Sequence, residues 1–155
     1  MPAPKGYSVR TLKDFVGHDF GASAPIRVDQ IRINTFADVT GDHQWIHVDV
    51  AKAKKHSPFG GPVAHGFLTL SLMAAAVASA GVVPADAQGV INYGLDKIRF
   101  IAPVPSGASI TARFKLAGVE DKGDKRQLIR IEAQVDVEGQ DKPAIVGEVL
   151  AMVVG

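Results

Sequence analysis

The chain has 155 residues, 46% of them hydrophobic and 21% charged, the size and balance of one globular domain with room for a substantial core, so 1–155 is expected to form a single domain. Its 17 basic and 16 acidic side chains nearly cancel, which leaves no electrostatic case for nucleic acid or a membrane surface as partner. The absence of cysteine excludes disulfides and Cys-based metal sites and fits a reducing, cytoplasmic location.

Residues 1–15 mix Lys5, Arg10, Lys13 and Asp14 with no apolar run, so no signal peptide is expected. Asp29 suits the N-cap of a helix in which Ile33, Phe36, Ala37 and Thr40 recur at helical spacing, and Gly41 suits its end. A loop over 42–49 follows. Asp49 is placed to cap a second short helix running through Lys55, after which Ser57-Pro58-Phe59-Gly60-Gly61-Pro62 is a turn-rich connection. Segment 63–80 carries Phe67, Leu68, Leu70, Leu72, Met73 and Val77 all round a helix, which predicts burial in a core. Its hydroxyl side chains, small residues and following amphipathic strands argue against a membrane span. Ala74, Ala75, Ala76, Ala78 and Ala80 read as close packing on a sheet in preference to an acyl channel.

The remaining sequence alternates. Segment 89–104 reads as a strand; Ile110, Ala112, Phe114 and Leu116 alternate with Thr111, Arg113 and Lys115, and Ile129, Ile131, Ala133 and Val135 alternate with polar residues. Turns are expected at 121–124 and 138–143, with a closing strand over 144–154. The pattern predicts an α+β fold, a curved antiparallel sheet wrapped around a long central helix.

The chemistry concentrates in Asp42-His43-Gln44-Trp45-Ile46-His47 and in His65-Gly66. A carboxylate and an imidazole five residues apart can share proton transfers. Free amides at a helix start can bind negative charge developing on a carbonyl oxygen. Together they suit the addition or removal of water across a double bond beside a carbonyl, with no metal required. Asp42 and His47 are the candidate catalytic pair, and the Gly66 N–H is the candidate oxyanion donor. Gly66 has a second reading as a close-packing glycine against the sheet. Gln44 and His65 are candidates for orienting the loop. His18, His43 and His56 read as solvated, and no metal site is expected from the five histidines. Lys52, Lys54, Lys55, Lys97 and Arg99 read as a solvated face, with the phosphates of a ligand as the sharper alternative.

Thr40-Gly41-Asp42-His43-Gln44-Trp45-Ile46-His47, Phe59-Gly60-Gly61-Pro62-Val63-Ala64-His65-Gly66-Phe67-Leu68 and Asn92-Tyr93-Gly94-Leu95-Asp96-Lys97-Ile98-Arg99-Phe100 resemble the signature of the MaoC-like dehydratases, the (R)-specific enoyl-CoA hydratases of the hot dog fold. The resemblance runs from about Ile26 to the C-terminus. Many family members carry Asn and Pro where this chain has Gln44 and Trp45, so the loop that aims the pair differs chemically. The resemblance implies a hot dog homodimer that interconverts 2-enoyl-CoA and 3-hydroxyacyl-CoA with (R) stereochemistry. It implies no cofactor beyond the coenzyme A or acyl carrier protein thioester that is itself the substrate. Two rivals stand beside it: a hot dog acyl-CoA thioesterase, and an acyl-thioester-binding protein without catalysis.

Overall fold

The computed structural model describes residues 3–155; residues 1–2, part of the segment read above for a signal peptide, lie outside them. A 3₁₀ turn at Leu12–Phe15 leads into two short strands, β1 (Asp19–Ala22) and β2 (Ile26–Val28). None of these three elements is expected from the sequence, because each is too short to show a periodicity. Helix α1 (Gln30–Thr40) starts where Asp29 accepts the Arg32 N–H and ends at Gly41, whose φ of 82° is the left-handed cap conformation glycine adopts without steric cost.

The segment expected as a loop over 42–49 contains a one-turn helix, α2 (Trp45–Val48), closed by the His47 and Val48 N–H groups on the Gln44 carbonyl. Helix α3 (Val50–His56) follows, capped by the Asp49 side chain on the Lys52 N–H. The central helix α4 is shorter than the predicted 63–80 and runs Gly66–Ser79. Its expected first turn is extended: Ala64 N–H bonds the Val104 carbonyl and Val63 pairs with Pro105. Backbone pairing outcompetes helix there. No helix among the described residues is long and apolar enough to cross a membrane.

Strands β3 (Gly89–Phe100), β4 (Ala108–Gly123), β5 (Arg126–Val137) and β6 (Ile145–Val154) complete one antiparallel sheet in the order β1-β4-β5-β6-β3, with β2 also on β4. The β3 strand stops at Phe100, short of the expected 104, where the chain leaves β6 to meet the segment ahead of α4. The expected turn at 121–124 lies further on, at Asp124-Lys125, whose φ values of 51° and 60° give a two-residue hairpin turn between paired Gly123 and Arg126.

Burial follows the alternation. Ile110, Ala112, Phe114, Leu116, Ile129, Ile131 and Val135 point into a core with Met73, Ala76 and Val77 of α4. The helix is not apolar-buried all round in the single chain: Phe67, Ser71, Ala74, Ala75 and Ala78 face outward, while Ala76 and Ala80 take the close-packing role. A curved antiparallel sheet wrapped on one central helix is the hot dog fold. His18 departs from the solvated reading, since its half-buried ring lies edge-on to Phe15 and Phe20.

Candidate active site

The extended segment ahead of α4 organises the site. Val63 uses both backbone groups on α2, its N–H donating to the Ile46 carbonyl (3.1 Å) and its carbonyl accepting from His47 Nδ1 (2.7 Å). A carbonyl only accepts, so the proton of neutral His47 sits on Nδ1 and Nε2 carries the free lone pair. His65 Nε2 likewise donates to the Asp42 carbonyl (2.9 Å), tying the start of the loop to the N-cap of α4. The two imidazoles stack at 3.9 Å between ring centroids and 25° between planes, and Phe36 of α1 lies against His65. Gln30, in the first turn of α1, donates to the His47 carbonyl (2.7 Å).

His47 is 7% and His65 2% exposed, whereas Asp42 is open to solvent. Burial is the main reason that the His47 pKa lies below the ordinary 6.5, with the neighbouring His65 acting in the same direction and Asp42 and the Val63 carbonyl opposing. A ring kept neutral and fixed in one tautomer is suited to accept a proton. Donor atoms of Asp42, His47 and His65 lie within 4.8 Å of one another, the two-histidine, one-carboxylate set used by some metals. The stacking opposes that use, because the lone pairs lie in the ring planes and near-parallel planes do not converge on an ion about 2 Å from each nitrogen.

Gly66 opens α4. Intrahelical bonding begins with the Leu68 and Thr69 amides on the His65 carbonyl, so the Gly66 N–H precedes it. Gly66 and Thr69 line a cleft of about 270 Å³, walled also by Phe59, Phe100, Val104 and Ile145; Asp42 and His47 do not line this cleft but adjoin it through the His65-Gly66 peptide. A Cβ on Gly66 would stand 2.9 Å from two ring carbons of Phe100. The close-packing reading of the glycine therefore has a specific partner, a β3 side chain. It coexists with the free amide.

The remaining candidates fall outside the cluster. The exposed Gln44 side chain has no hydrogen bond among the described residues, and its backbone does the shaping: its carbonyl closes α2 and its N–H donates to Asp42 Oδ1 at 3.3 Å. His43 pairs with Asp38 at the surface. Lys52 sits 4.8 Å over the Trp45 ring, giving the residue at the family's proline position a cation–π partner. Gln30, Val63 and Phe100 join the site beyond the residues the sequence suggests. Gln30 and Val63 act across the fold or through backbone, which leaves no local pattern to find.

A MaoC-like domain description matches residues 12–140. The chain is also 44% identical over 141 residues to the 3-hydroxyacyl-thioester dehydratase Z of Mycobacterium tuberculosis, covering 91% of this chain and 92% of that protein. The chain belongs to the MaoC-like family. Another relative of this MaoC-like chain is nodulation protein N of Rhizobium leguminosarum, 40% identical over 89% of this chain and 86% of that one. Among solved structures, a monoamine oxidase regulatory protein from Archaeoglobus superposes with a TM-score of 0.80 at 26% identity, covering 99% of this chain and 97% of that one. The unliganded R-hydratase PhaJ1 of Pseudomonas aeruginosa gives 0.72 at 27% identity, over 90% and 81%. The family is one of dehydratases and hydratases of MaoC type.

Proposed function

We propose that this MaoC-like protein is an (R)-specific enoyl thioester hydratase that interconverts 2-enoyl and 3-hydroxyacyl thioesters of coenzyme A or acyl carrier protein. The observation that carries the reading is the tautomer of His47: Nδ1 is committed to the Val63 carbonyl, which leaves the Nε2 lone pair free on a ring with a nitrogen within 4.8 Å of an Asp42 carboxylate oxygen. In the hydration direction the water oxygen bonds to C3 and the π electrons move onto the thioester oxygen. The Asp42–His47 pair takes a proton from the water and returns one to C2. The Gly66 N–H binds the enolate-like oxygen. These groups need no metal or cofactor, and His65 holds the Asp42 loop to the helix start. The names of the mycobacterial dehydratase and the Pseudomonas R-hydratase support the substrate class and the stereochemistry.

The working unit in this reading is a cytoplasmic homodimer. Strand β3 is a sheet edge that exposes Ile91, Tyr93, Leu95 and Phe100, next to outward-facing Phe67 of α4. A partner that continues the sheet would cover both. The expected result is a dimer in sedimentation at micromolar concentration; an active monomer contradicts it. The activity test follows loss of the conjugated thioester absorbance on crotonyl, octenoyl and dodecenoyl thioesters, with the hydrated product resolved by chirality. Release of free thiol from saturated and unsaturated substrates alike would instead identify a thioesterase, and tight binding without turnover a binding protein.

A further inference from the structure

We infer that Phe100 sets the length of acyl chain this protein accepts, by standing between the Gly66 amide and the depth of the neighbouring cleft. The inference rests on the hydratase reading for the placement of the thioester carbonyl at Gly66. Two carbons of the Phe100 ring lie 2.9 Å from where a Cβ on Gly66 would be, so the ring rests on the glycine itself. A carbonyl bound to the Gly66 N–H has its first chain carbons beside that ring.

The cleft beyond is hydrocarbon. Thr69 is the one polar side chain in its wall, and Val104, Ala144 and Ile145 are 3%, 2% and 1% exposed. An apolar cleft with part of its wall buried takes an acyl tail in preference to the polar arm of the carrier. Those buried walls are fixed by close packing, and moving them disturbs the core. Phe100 is different: in the single chain it is 50% exposed and lies beside the exposed ring of Phe67 at a centroid distance of 5.9 Å and a tilt of 49°. Truncating it opens no core of the single chain, and sedimentation checks that the edge the partner would cover still assembles. Phe59 is equally exposed and lines the same cleft, but among the described residues it is Phe100 that approaches Gly66.

Each methylene gained or lost in a hydrophobic pocket changes discrimination by about tenfold or more. Truncating the ring therefore has a readout that a purely structural role does not move, the ratio of kcat/KM for long over short chains. The experiment measures that ratio for dodecenoyl-CoA over crotonyl-CoA in the wild type, Phe100→Ala and Phe100→Leu, with circular dichroism and sedimentation confirming fold and assembly. Phe100→Ala should raise it at least tenfold, with Phe100→Leu intermediate. A ratio within twofold of wild type in folded Phe100→Ala overturns the assignment, and if that variant does not fold, an unchanged ratio in Phe100→Leu does so. Calorimetric binding of butyryl-CoA and dodecanoyl-CoA to the same proteins separates the two readings. A wild type that binds both but hydrates no enoyl thioester defeats the hydratase reading, while an unshifted preference in the variants defeats the role of Phe100.

Discussion

The two parts of the site are held by different kinds of contact. Around Asp42 and His47 the anchors are carbonyls: Val63 fixes the His47 ring, the Asp42 carbonyl is held by His65, and the His47 carbonyl by Gln30. Around Gly66 the confining partner is one half-exposed ring, Phe100. The Val63 carbonyl would survive substitution of Val63, the other two bonds depend on the His65 and Gln30 side chains, and the Phe100 ring is itself the contact. In the proposed reading the polar half carries the reaction and the ring sets the range of substrates.

The largest effect that tests this contrast lies in the polar half. Asp42→Asn or His47→Gln should each lower hydration by about two to four orders of magnitude, the usual scale for losing a general acid–base group, with the far-ultraviolet dichroism retained. Substrate binding measured with a saturated analogue should largely persist. Gly66→Ala is next. It keeps the amide N–H but sets a methyl against Phe100, so kcat/KM should fall about tenfold. The melting temperature should move by only a few degrees, because alanine is the better helix former and the contact is with a side chain, not with backbone. A fully active Gly66→Ala protein would return the glycine to ordinary packing.

His65→Leu keeps an apolar side chain against His47 but removes the bond to the Asp42 carbonyl. Turnover should fall several-fold with little change in KM. The acid limb of the pH–rate profile should also move up, because His65 helps to depress the His47 pKa. In the wild type that limb should fall below pH 6.5. Stability gives the smallest signal. Folding favours the neutral His47 ring, so as pH drops through the unfolded value of 6.5 the unfolded chain takes up this proton first. The His47 share of stability is whole above 6.5 and declines as pH falls towards the folded value. Urea unfolding of wild type and His47→Gln at pH 7.5 and 5.5 should show the wild type losing more on acidification.

Much of this was legible because the information is local. Asp29, Gly41 and Asp49 mark helix ends with their own side chains or backbone conformation, and the alternation around Ile110–Leu116 and Ile129–Val135 states which face is buried. Asp42, His47 and Gly66 were visible through spacing and resemblance together. What stayed hidden is long-range. No pattern links Gln30 to the His47 carbonyl seventeen residues away, and nothing local shows that Val63 and Ala64 pair with the stretch after β3 and so delay the start of α4. The outward face of α4 departs from the expected burial for a related reason: apolar residues on every side of a helix do not state which of them the rest of the chain reaches.

The most direct test of the central claim, that Asp42 and His47 serve one water as a single unit, is the double-mutant cycle on enoyl-CoA hydration. If they act together, Asp42→Asn/His47→Gln should be only slightly slower than the worse single variant, since the first loss already disables the unit. Folded variants whose losses multiply in the double mutant would contradict the shared-water account, and single variants with near wild-type turnover would remove the pair from catalysis.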